Sequence, residues 1–302
     1  MPGRQPLDLT GAAEHFRTHG WVLVDSLVPA DDVAAAGAAL TRLYPTPATG
    51  EPKTGPRMFR PGQFTGLQEA PTGYPALDNL CVHDRVLDLV EALLGTDDVR
   101  LYQAETFAKF SGVESYEQPL HIDETNHTLL PPRRDGRFRQ VQLFVYLSDV
   151  TEARGATHVV SNTRTRHIPK EQLYFDRSGA VVMDDDEVAA DGPAGSVLAY
   201  SADTVHRGTD MTEPGASRFF FNLGYRAAGA DWMGALPWPR RGIDPRIPAW
   251  ISQLPTRQLC ALGFPKPGHP YWDADTLAAT QARYPGLDLT DFGLGPNPEL
   301  GR

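Results

Sequence analysis

The sequence predicts a mainly β protein in which two sheets pack together and helices lie outside them. The helical patterns come first, between residues 8 and 94, and a series of strand-like runs follows between residues 99 and 225. Helices and strands do not alternate, which argues against a doubly wound α/β sheet. Gly and Pro number 28 and 27 among 302 residues, as is typical of many turns between short strands.

The N-terminal part, residues 1–95, is predicted to be a helical support. Apolar residues at helical spacing predict three helices, at residues 8–18, 29–44 and 83–94. Gly20 and Gly95 would end the first and the last of these helices. The run Trp21–Val24 predicts a strand, and the segment 45–75, rich in Pro, Gly and Thr, predicts a long irregular connection.

The β core is predicted to span residues 96–228. Runs of β-branched and aromatic residues indicate strands at 99–110, 139–150, 156–160, 195–200 and 218–225. The acidic cluster Asp184–Glu187 is interpreted as a solvated loop tip.

The tail, residues 229–302, has no strand pattern. Its tryptophans and prolines indicate an irregular wrap against the core, with Asp273 as the N-cap of a helix at 274–284. No flexible linker precedes it, so the whole chain, 1–302, is predicted to be a single domain.

Composition excludes several classes of partner. The formal net charge of −10 disfavours binding to nucleic acid or to an anionic membrane. Two cysteines cannot form a disulfide framework or a thiolate zinc site. No apolar run approaches a membrane span, and the N-terminus lacks the apolar stretch of a signal peptide. We therefore expect a cytoplasmic protein whose partner is a small-molecule substrate.

A metal site is indicated by His121 and Asp123. On an extended strand, residues two apart point to the same face, so the imidazole and the carboxylate can converge on one point. A second histidine would complete the two-His, one-carboxylate set that holds non-haem Fe(II). His206 is the best candidate, because it follows the apolar strand 195–200 after a short turn, where a strand begins.

Arg218 begins the last strong strand, twelve residues after His206. Its planar guanidinium, if it faces the metal site, would pair with the distal carboxylate of a dicarboxylate such as 2-oxoglutarate. By alternation from Arg218, the same face of this strand carries Phe220 and Asn222, which are predicted to contact the substrate. A basic cluster in the loop before residue 140 (Arg133, Arg134, Arg137 and Arg139) could contact an anionic substrate group. The other interpretation of this cluster is a solvated loop.

These residues resemble the phytanoyl-CoA dioxygenase family of Fe(II)/2-oxoglutarate-dependent oxygenases, over roughly residues 10–226. The similarity includes the opening helix and strand Glu14–Val24, the His-x-Asp at 121–123 and the segment Tyr146–Thr157. It continues through the strand Gly195–Tyr200, His206 and Arg218. The resemblance implies a double-stranded β-helix (jelly-roll, cupin-like) core.

The resemblance also implies roles for individual residues. His121, Asp123 and His206 would be the catalytic iron ligands, and Arg218 would hold 2-oxoglutarate. Other polar residues at positions of cosubstrate contact would be Gln103, Thr157 and Thr209. The implied cofactors are Fe(II), 2-oxoglutarate and O₂, and the implied reaction is hydroxylation or another oxidation of an unactivated C–H bond, with succinate and CO₂ as coproducts.

Other functions stay open at this point. A cupin-like metalloenzyme could use the same three ligands without 2-oxoglutarate, although Arg218 argues against it. A non-catalytic metal- or ligand-binding protein could retain the fold, although an intact ligand set argues against that. Related halogenases carry a small residue in place of the carboxylate, so Asp123 disfavours halogenation.

Overall fold

The computed structural model describes residues 8–44, 65–112, 117–123, 127, 139–168, 186–230 and 246–293. Its strands are β1 (Trp21–Val24), β2 (Thr65–Glu69), β3 (Val99–Phe110), β4 (Gln140–Tyr146), β5 (Thr157–Val160), β6 (Glu187–Ala189), β7 (Val197–Tyr200), β8 (His206–Gly208) and β9 (Ser217–Ala227). Its helices are α1 (Thr10–His19), α2 (Ala30–Leu43), α3 (Pro75–Asp78), α4 (Asp84–Leu94), α5 (Asn162–Thr165), α6 (Arg246–Ile251), α7 (Thr256–Leu262) and α8 (Ala274–Arg283).

Two antiparallel sheets form the β core. The larger sheet has the strand order β1-β7-β4-β9-β3-β2, and the smaller has the order β6-β5-β8. Strands distant in sequence lie side by side, as β3 and β9 do along almost their whole length. The predicted class, a mainly β jelly-roll core with flanking helices, is confirmed.

Alternation along β9 divides the hydrophobic residues between two clusters. Phe219, Phe221 and Leu223 pack on the outer face, in the large cluster that contains the helices. Phe220 packs on the inner face with residues of both sheets, among them Val159 of β5. Arg218 and Asn222, two residues to either side of Phe220, therefore belong to the inner face, as predicted.

Two predictions about local structure are wrong. Residues 65–69, predicted as irregular, form β2, which pairs with β3 across an irregular register. The segment Thr-Gly-Leu-Gln-Glu has too few β-branched and aromatic residues to predict a strand. It forms one because it pairs with β3. Glu187, predicted at a solvated loop tip, begins β6, and its carboxylate accepts hydrogen bonds from Arg207 and bonds to the His158 ring.

The tail is more helical than the predicted irregular wrap. Besides the predicted helix after Asp273, which begins in a capping box with Thr276, it forms α6 and α7. Apolar side chains of this region share the outer cluster with α4 and β3, among them Trp250, Leu259 and Trp272. These short helices are stabilised by burial against the core. The local sequence pattern does not show this burial, so it does not predict the helices. No helix in the described ranges is long and apolar enough to cross a membrane.

Candidate metal and cosubstrate site

The three candidate ligands come from two segments joined by a backbone bridge. His206 begins β8, and His121 lies in the short segment 117–123 beside it. The His121 N–H donates to the His206 carbonyl at 3.0 Å, and the His206 N–H donates back at 2.9 Å. The Asp123 N–H donates to the Ala202 carbonyl at 2.9 Å, which fixes the segment just after His121.

The side chains of these residues converge on one point. His121 Nε2 lies 3.7 Å from Asp123 Oδ1, and His206 Nε2 lies 3.5 Å from Asp123 Oδ2. One ligand atom from each of the three residues lies within 4.8 Å of the others. Neighbouring donor atoms that share a first-row ion at about 2.0–2.2 Å are separated by roughly 3–3.6 Å, close to the two distances from Asp123. The donor set, two imidazoles and a carboxylate, therefore fits one such ion.

Both histidines are held in the tautomer that a metal requires. Their Nδ1 atoms lie 2.9 Å from the Pro119 carbonyl oxygen and 3.0 Å from the Thr204 carbonyl oxygen, respectively. A carbonyl oxygen only accepts, so each Nδ1 carries the hydrogen and each Nε2 lone pair is free for a metal. Tyr200 donates its hydroxyl hydrogen to Asp123 Oδ2 at 3.0 Å and orients the carboxylate.

The charge states also favour a cation. Burial, assisted by the neighbouring His206, lowers the pKa of His121 to about 4, so this imidazole is neutral at physiological pH. Burial acts to raise the pKa of Asp123, but His206, His127, His121 and the Tyr200 hydroxyl together outweigh it and lower this pKa. Neutral imidazole beside an ionised carboxylate is the state that coordinates a metal.

Arg218 is a buried cation at the other end of the inner face. It is 2% exposed, and its Nε and Nη1 atoms lack a hydrogen-bond partner among the described residues. Its Cζ lies 4.8 Å from the Phe220 ring centroid, and burial lowers its pKa to about 10. Each buried group left without a partner costs about 1–3 kcal/mol, more when charged. An incoming carboxylate would supply both missing acceptors.

Thr157 and Thr209, two other predicted cosubstrate contacts, lie at the start of β5 and directly after β8. Lys109, opposite Arg218 in the β3–β9 register, donates from Nζ to the Thr209 carbonyl. Thr209 Oγ1 donates to the Ala156 carbonyl at 2.7 Å, and Thr157 is buried opposite Gly208. Their contact with a cosubstrate stays a prediction. Arg137, like Arg133 and Arg134, lies outside the described residues, whereas Arg139 is half-buried just before β4.

Gln103 lies farther from Arg218 than a cosubstrate contact suggests. It pairs with Gly224, six residues along β9, which corresponds to about 20 Å of strand. Its amide donates to Glu105 Oε1 at 2.8 Å. Asn222, predicted to contact the substrate, donates to the same oxygen at 3.3 Å. These contacts place Gln103 and Asn222 in one group around Glu105.

Sequence reasoning missed a second polar group beside the metal site. Tyr102 donates its hydroxyl hydrogen to Gln140 Oε1 at 3.0 Å and accepts from Gln142 Nε2 at 2.6 Å. His127 Nδ1 lies 3.0 Å from the same Gln142 nitrogen. Glu105 was also missed, and burial raises the pKa of its carboxyl group to about 7. The available signal was a run of polar residues at alternate positions of two otherwise apolar strands.

Fold and site together define a jelly-roll protein with a two-His, one-carboxylate metal centre and a buried arginine on the inner face of the larger sheet. The family model for phytanoyl-CoA dioxygenase (PhyH) matches residues 16–218, more than half of the chain. The chain belongs to this family.

Solved structures with the same fold have low sequence identity. EvdO2 from Micromonospora carbonacea var. aurantiaca is 19% identical, with 77% of this chain and 99% of that chain covered and a TM-score of 0.58. The epimerase SnoN in complex with Fe³⁺, alpha ketoglutarate and nogalamycin RO is 22% identical, with 74% and 85% covered and a TM-score of 0.56. HygX from Streptomyces hygroscopicus with nickel and 2-oxoglutarate bound is 18% identical, with 71% and 85% covered and a TM-score of 0.53. No curated protein matches the sequence.

Proposed function

We propose that this protein is a non-haem Fe(II)- and 2-oxoglutarate-dependent dioxygenase that hydroxylates an unactivated C–H bond of a small organic substrate. The observation that carries the proposal is the convergence of His121, Asp123 and His206, together with the buried guanidinium of Arg218, which has two nitrogens without a partner among the described residues. Family membership supports the same reaction class.

Each residue has a defined part in this reaction. His121, Asp123 and His206 would occupy one side of the iron and leave the opposite positions open for cosubstrate and dioxygen. Arg218 would pair with the distal carboxylate of 2-oxoglutarate, while Phe220 and Tyr146 exclude water around that pair. Dioxygen activation coupled to loss of CO₂ from 2-oxoglutarate is the chemistry that bound iron would supply. The balance is substrate, 2-oxoglutarate and O₂ to hydroxylated substrate, succinate and CO₂.

The solved neighbours support the use of iron and 2-oxoglutarate as cofactors, and they give less support to hydroxylation as the reaction. SnoN was solved in complex with Fe³⁺ and alpha ketoglutarate, and HygX with nickel and 2-oxoglutarate bound. SnoN is an epimerase and SnoK is a carbocyclase, so one fold accommodates different reaction outcomes. Hydroxylation is our proposal because it needs no further group from the protein after oxidation of the carbon.

Anaerobic titration tests the cofactor set directly. Adding Fe(II) and then 2-oxoglutarate to the metal-free protein should give the weak visible charge-transfer band of the chelate. The band should be lost in His121→Ala and His206→Ala, which lack a metal ligand, and should require much more 2-oxoglutarate in Arg218→Ala. His269→Ala, which removes an exposed histidine of the tail, is the matched control. A band of unchanged strength in all three site variants would disprove the assignment.

A further inference from the structure

Four side-chain amides line the inner face of the larger sheet next to the metal site. Gln103 and Asn222 lie on β3 and β9, and Gln140 and Gln142 lie on β4. We call these four residues the amide wall. The three glutamines are more than nine-tenths buried. Leaving a buried amide without a hydrogen-bond partner costs free energy, so each end of these amides is expected to have a partner.

Each amide is bound to the protein at one end only. Glu105 Oε1 accepts from Gln103 Nε2 at 2.8 Å and from Asn222 Nδ2 at 3.3 Å, which turns both amide oxygens away from the carboxylate. Gln142 Nε2 donates to the Tyr102 hydroxyl, and that hydroxyl donates to Gln140 Oε1. The opposite ends have no partner in the described ranges; they are Gln103 Oε1, Asn222 Oδ1, Gln142 Oε1 and Gln140 Nε2.

Strand register places the amide wall in one row with Tyr200, whose hydroxyl contacts a candidate metal ligand. Gln142 pairs with Gly224 on one side and with Tyr200 on the other, and Gly224 pairs with Gln103. The Tyr200 hydroxyl in turn donates to Asp123, one of the metal ligands. Arg218 lies six residues along β9 from this row. The unpartnered amide ends therefore lie on the inner face in the row of Tyr200, which contacts the metal ligand Asp123, and away from Arg218.

Gly224 makes room for this arrangement. An irregularity in the β3–β9 register falls between Leu101 and Gln103, so that Tyr102 and Gln103 both contact inner-face groups. A Cβ on residue 224 would lie 2.7 Å from Tyr102 Cζ, closer than atoms tolerate. The glycine lets the Tyr102 ring lie across β9 and hold Gln140 and Gln142 with their other ends free.

We propose that the amide wall binds a hydroxyl-rich part of the substrate, such as a polyol ring or a sugar, and presents it to the iron. This inference rests on the proposed function. The three acceptors and one donor that have no partner among the described residues match hydroxyl groups, which both donate and accept. A hydrocarbon would leave all four unpaired, and an ammonium group could not pair with the Gln140 donor. A site built to hydrogen-bond hydroxyls strongly rejects analogues that lack them.

Glu105 acts in this site as a positioning residue. Its Oε1 holds the two NH₂ groups of Gln103 and Asn222, so both carbonyl oxygens face the cavity. The carboxyl oxygen accepts these hydrogen bonds whether the group is ionised or protonated at Oε2. The change Glu105→Gln weakens the arrangement, because an amide oxygen is a weaker acceptor than an ionised carboxylate oxygen. The new NH₂ group also competes for the amide oxygens when it takes the place of Oε1.

The test uses ligand-observed NMR on the full chain loaded with Ni(II) and 2-oxoglutarate, so that no turnover occurs. The probes are myo-inositol and methyl α-glucopyranoside, with cyclohexanemethanol as the apolar ring of similar size. We expect saturation transfer to the two hydroxyl-rich probes at millimolar concentration and little to the apolar one. In Gln103→Leu and Asn222→Leu the hydroxyl-rich probes should bind at least about fivefold more weakly, because each variant removes one free acceptor.

Controls separate this site from the rest of the molecule. Gln253→Leu makes the same change at an exposed position in the turn after α6 and should leave probe binding unchanged. Glu105→Gln should weaken hydroxyl-rich probes while the affinity for 2-oxoglutarate, followed by the chelate band with Fe(II), stays within about twofold of wild type. An equal loss of both affinities would show a merely structural role.

The two proposals fail differently. If the chelate band forms but neither hydroxyl-rich probe binds, or both bind no better than cyclohexanemethanol, the amide-wall inference is overturned and the proposed function stands. If the hydroxyl-rich probes bind and depend on Gln103 and Asn222 while no chelate band forms, the amide wall stands and the cofactor assignment falls. Probe binding that is unaffected by Gln103→Leu and Asn222→Leu places the probes elsewhere and also overturns the inference.

Discussion

Tyr200 donates a hydrogen bond of 3.0 Å to Asp123 Oδ2, and its ring centroid lies 4.5 Å from that of His206. One buried side chain therefore contacts two of the three candidate metal ligands. Residues that hold ligands in place affect metal affinity by about 10–100-fold when they are removed. Tyr200 belongs to this class although it cannot itself reach the metal while it is bonded to the carboxylate.

We expect Tyr200→Phe to bind Fe(II) about tenfold more weakly than wild type, because Asp123 loses its orienting donor. The phenyl ring keeps the packing, so the unfolding temperature of the metal-free protein should change little. Competition with a metallochromic indicator under anaerobic conditions measures the affinity. Tyr271→Phe, which removes an exposed hydroxyl on the tail, is the control. Unchanged affinity in Tyr200→Phe would show that the backbone alone fixes Asp123.

Replacing Arg218 should have opposite effects on the stability of the metal-free protein and on the binding of 2-oxoglutarate. The guanidinium is buried with two nitrogens unpartnered among the described residues, so Arg218→Met should stabilise the metal-free protein by about 1–3 kcal/mol. The same variant should lose the stabilisation that 2-oxoglutarate gives to Ni(II)-loaded wild type, which is about 2.7 kcal/mol at a hundredfold excess over Kd. Urea denaturation with and without 2-oxoglutarate measures both effects.

Arg154→Met, which breaks an exposed ion pair with Glu213, is the matched control for Arg218→Met. It should keep the full response to 2-oxoglutarate. A response of wild-type size in Arg218→Met would mean that another cation holds the distal carboxylate, and Lys109 would then be the next residue to change.

Glu105 should impose a pH dependence on stability. Burial raises its pKa from 4.5 to about 7 in the folded protein. Between these values the unfolded chain has already released the proton that the folded protein keeps, so this group lowers stability as pH rises from about 4.5 to 7. Glu105→Gln removes the effect. Relative to wild type, the variant should therefore gain about 3 kcal/mol across this range.

Urea denaturation of the metal-free proteins at several pH values checks this expectation. The difference between Glu105→Gln and wild type isolates this carboxyl group, because every other titrating group is the same in both proteins. Glu14→Gln, on the exposed face of α1, is the control. A difference that is constant with pH would place the Glu105 pKa near its ordinary value in the folded protein.

Gly224→Ala should disturb the amide wall through Tyr102. The added methyl group would lie 2.7 Å from the tyrosine ring, and overpacking of this kind costs about 1–3 kcal/mol. Tyr102→Ala removes the clash, so the double variant should cost less than the sum of the two single changes. Gly11→Ala, in α1 with no other atom near the added group, should be neutral or slightly stabilising. Strict additivity of Gly224→Ala and Tyr102→Ala would contradict the contact.

The parts of the site that could be predicted are those specified by local pattern. His121 and Asp123 share a face because they are two residues apart, and Arg218, Phe220 and Asn222 alternate along one strand. His206 was found because a strand begins there. The runs of strong β formers gave β3, β4, β7 and β9, and a glycine marked the end of α1.

The parts that were missed depend on contacts between distant segments. Strand β2 has few β formers and exists because β3 offers it a partner. The amide wall needs the register of three strands and the irregularity next to Tyr102, and the spacing of residues in one strand contains neither. Gln103 is polar and inward, as expected, but only the register shows that it lies far from Arg218. Sequence pattern identifies the face of a side chain, and pairing determines its neighbours.

The backbone bridge between His121 and His206 joins the short segment 117–123 to β8 by two hydrogen bonds. Both cysteines, Cys81 and Cys260, are free and buried, so no covalent crosslink joins distant segments. A metal held by His121, Asp123 and His206 would act as that crosslink, because it ties the short segment 117–123 to β8 more firmly than two backbone hydrogen bonds can. Removal of iron would then loosen the tertiary structure locally as well as stop the reaction.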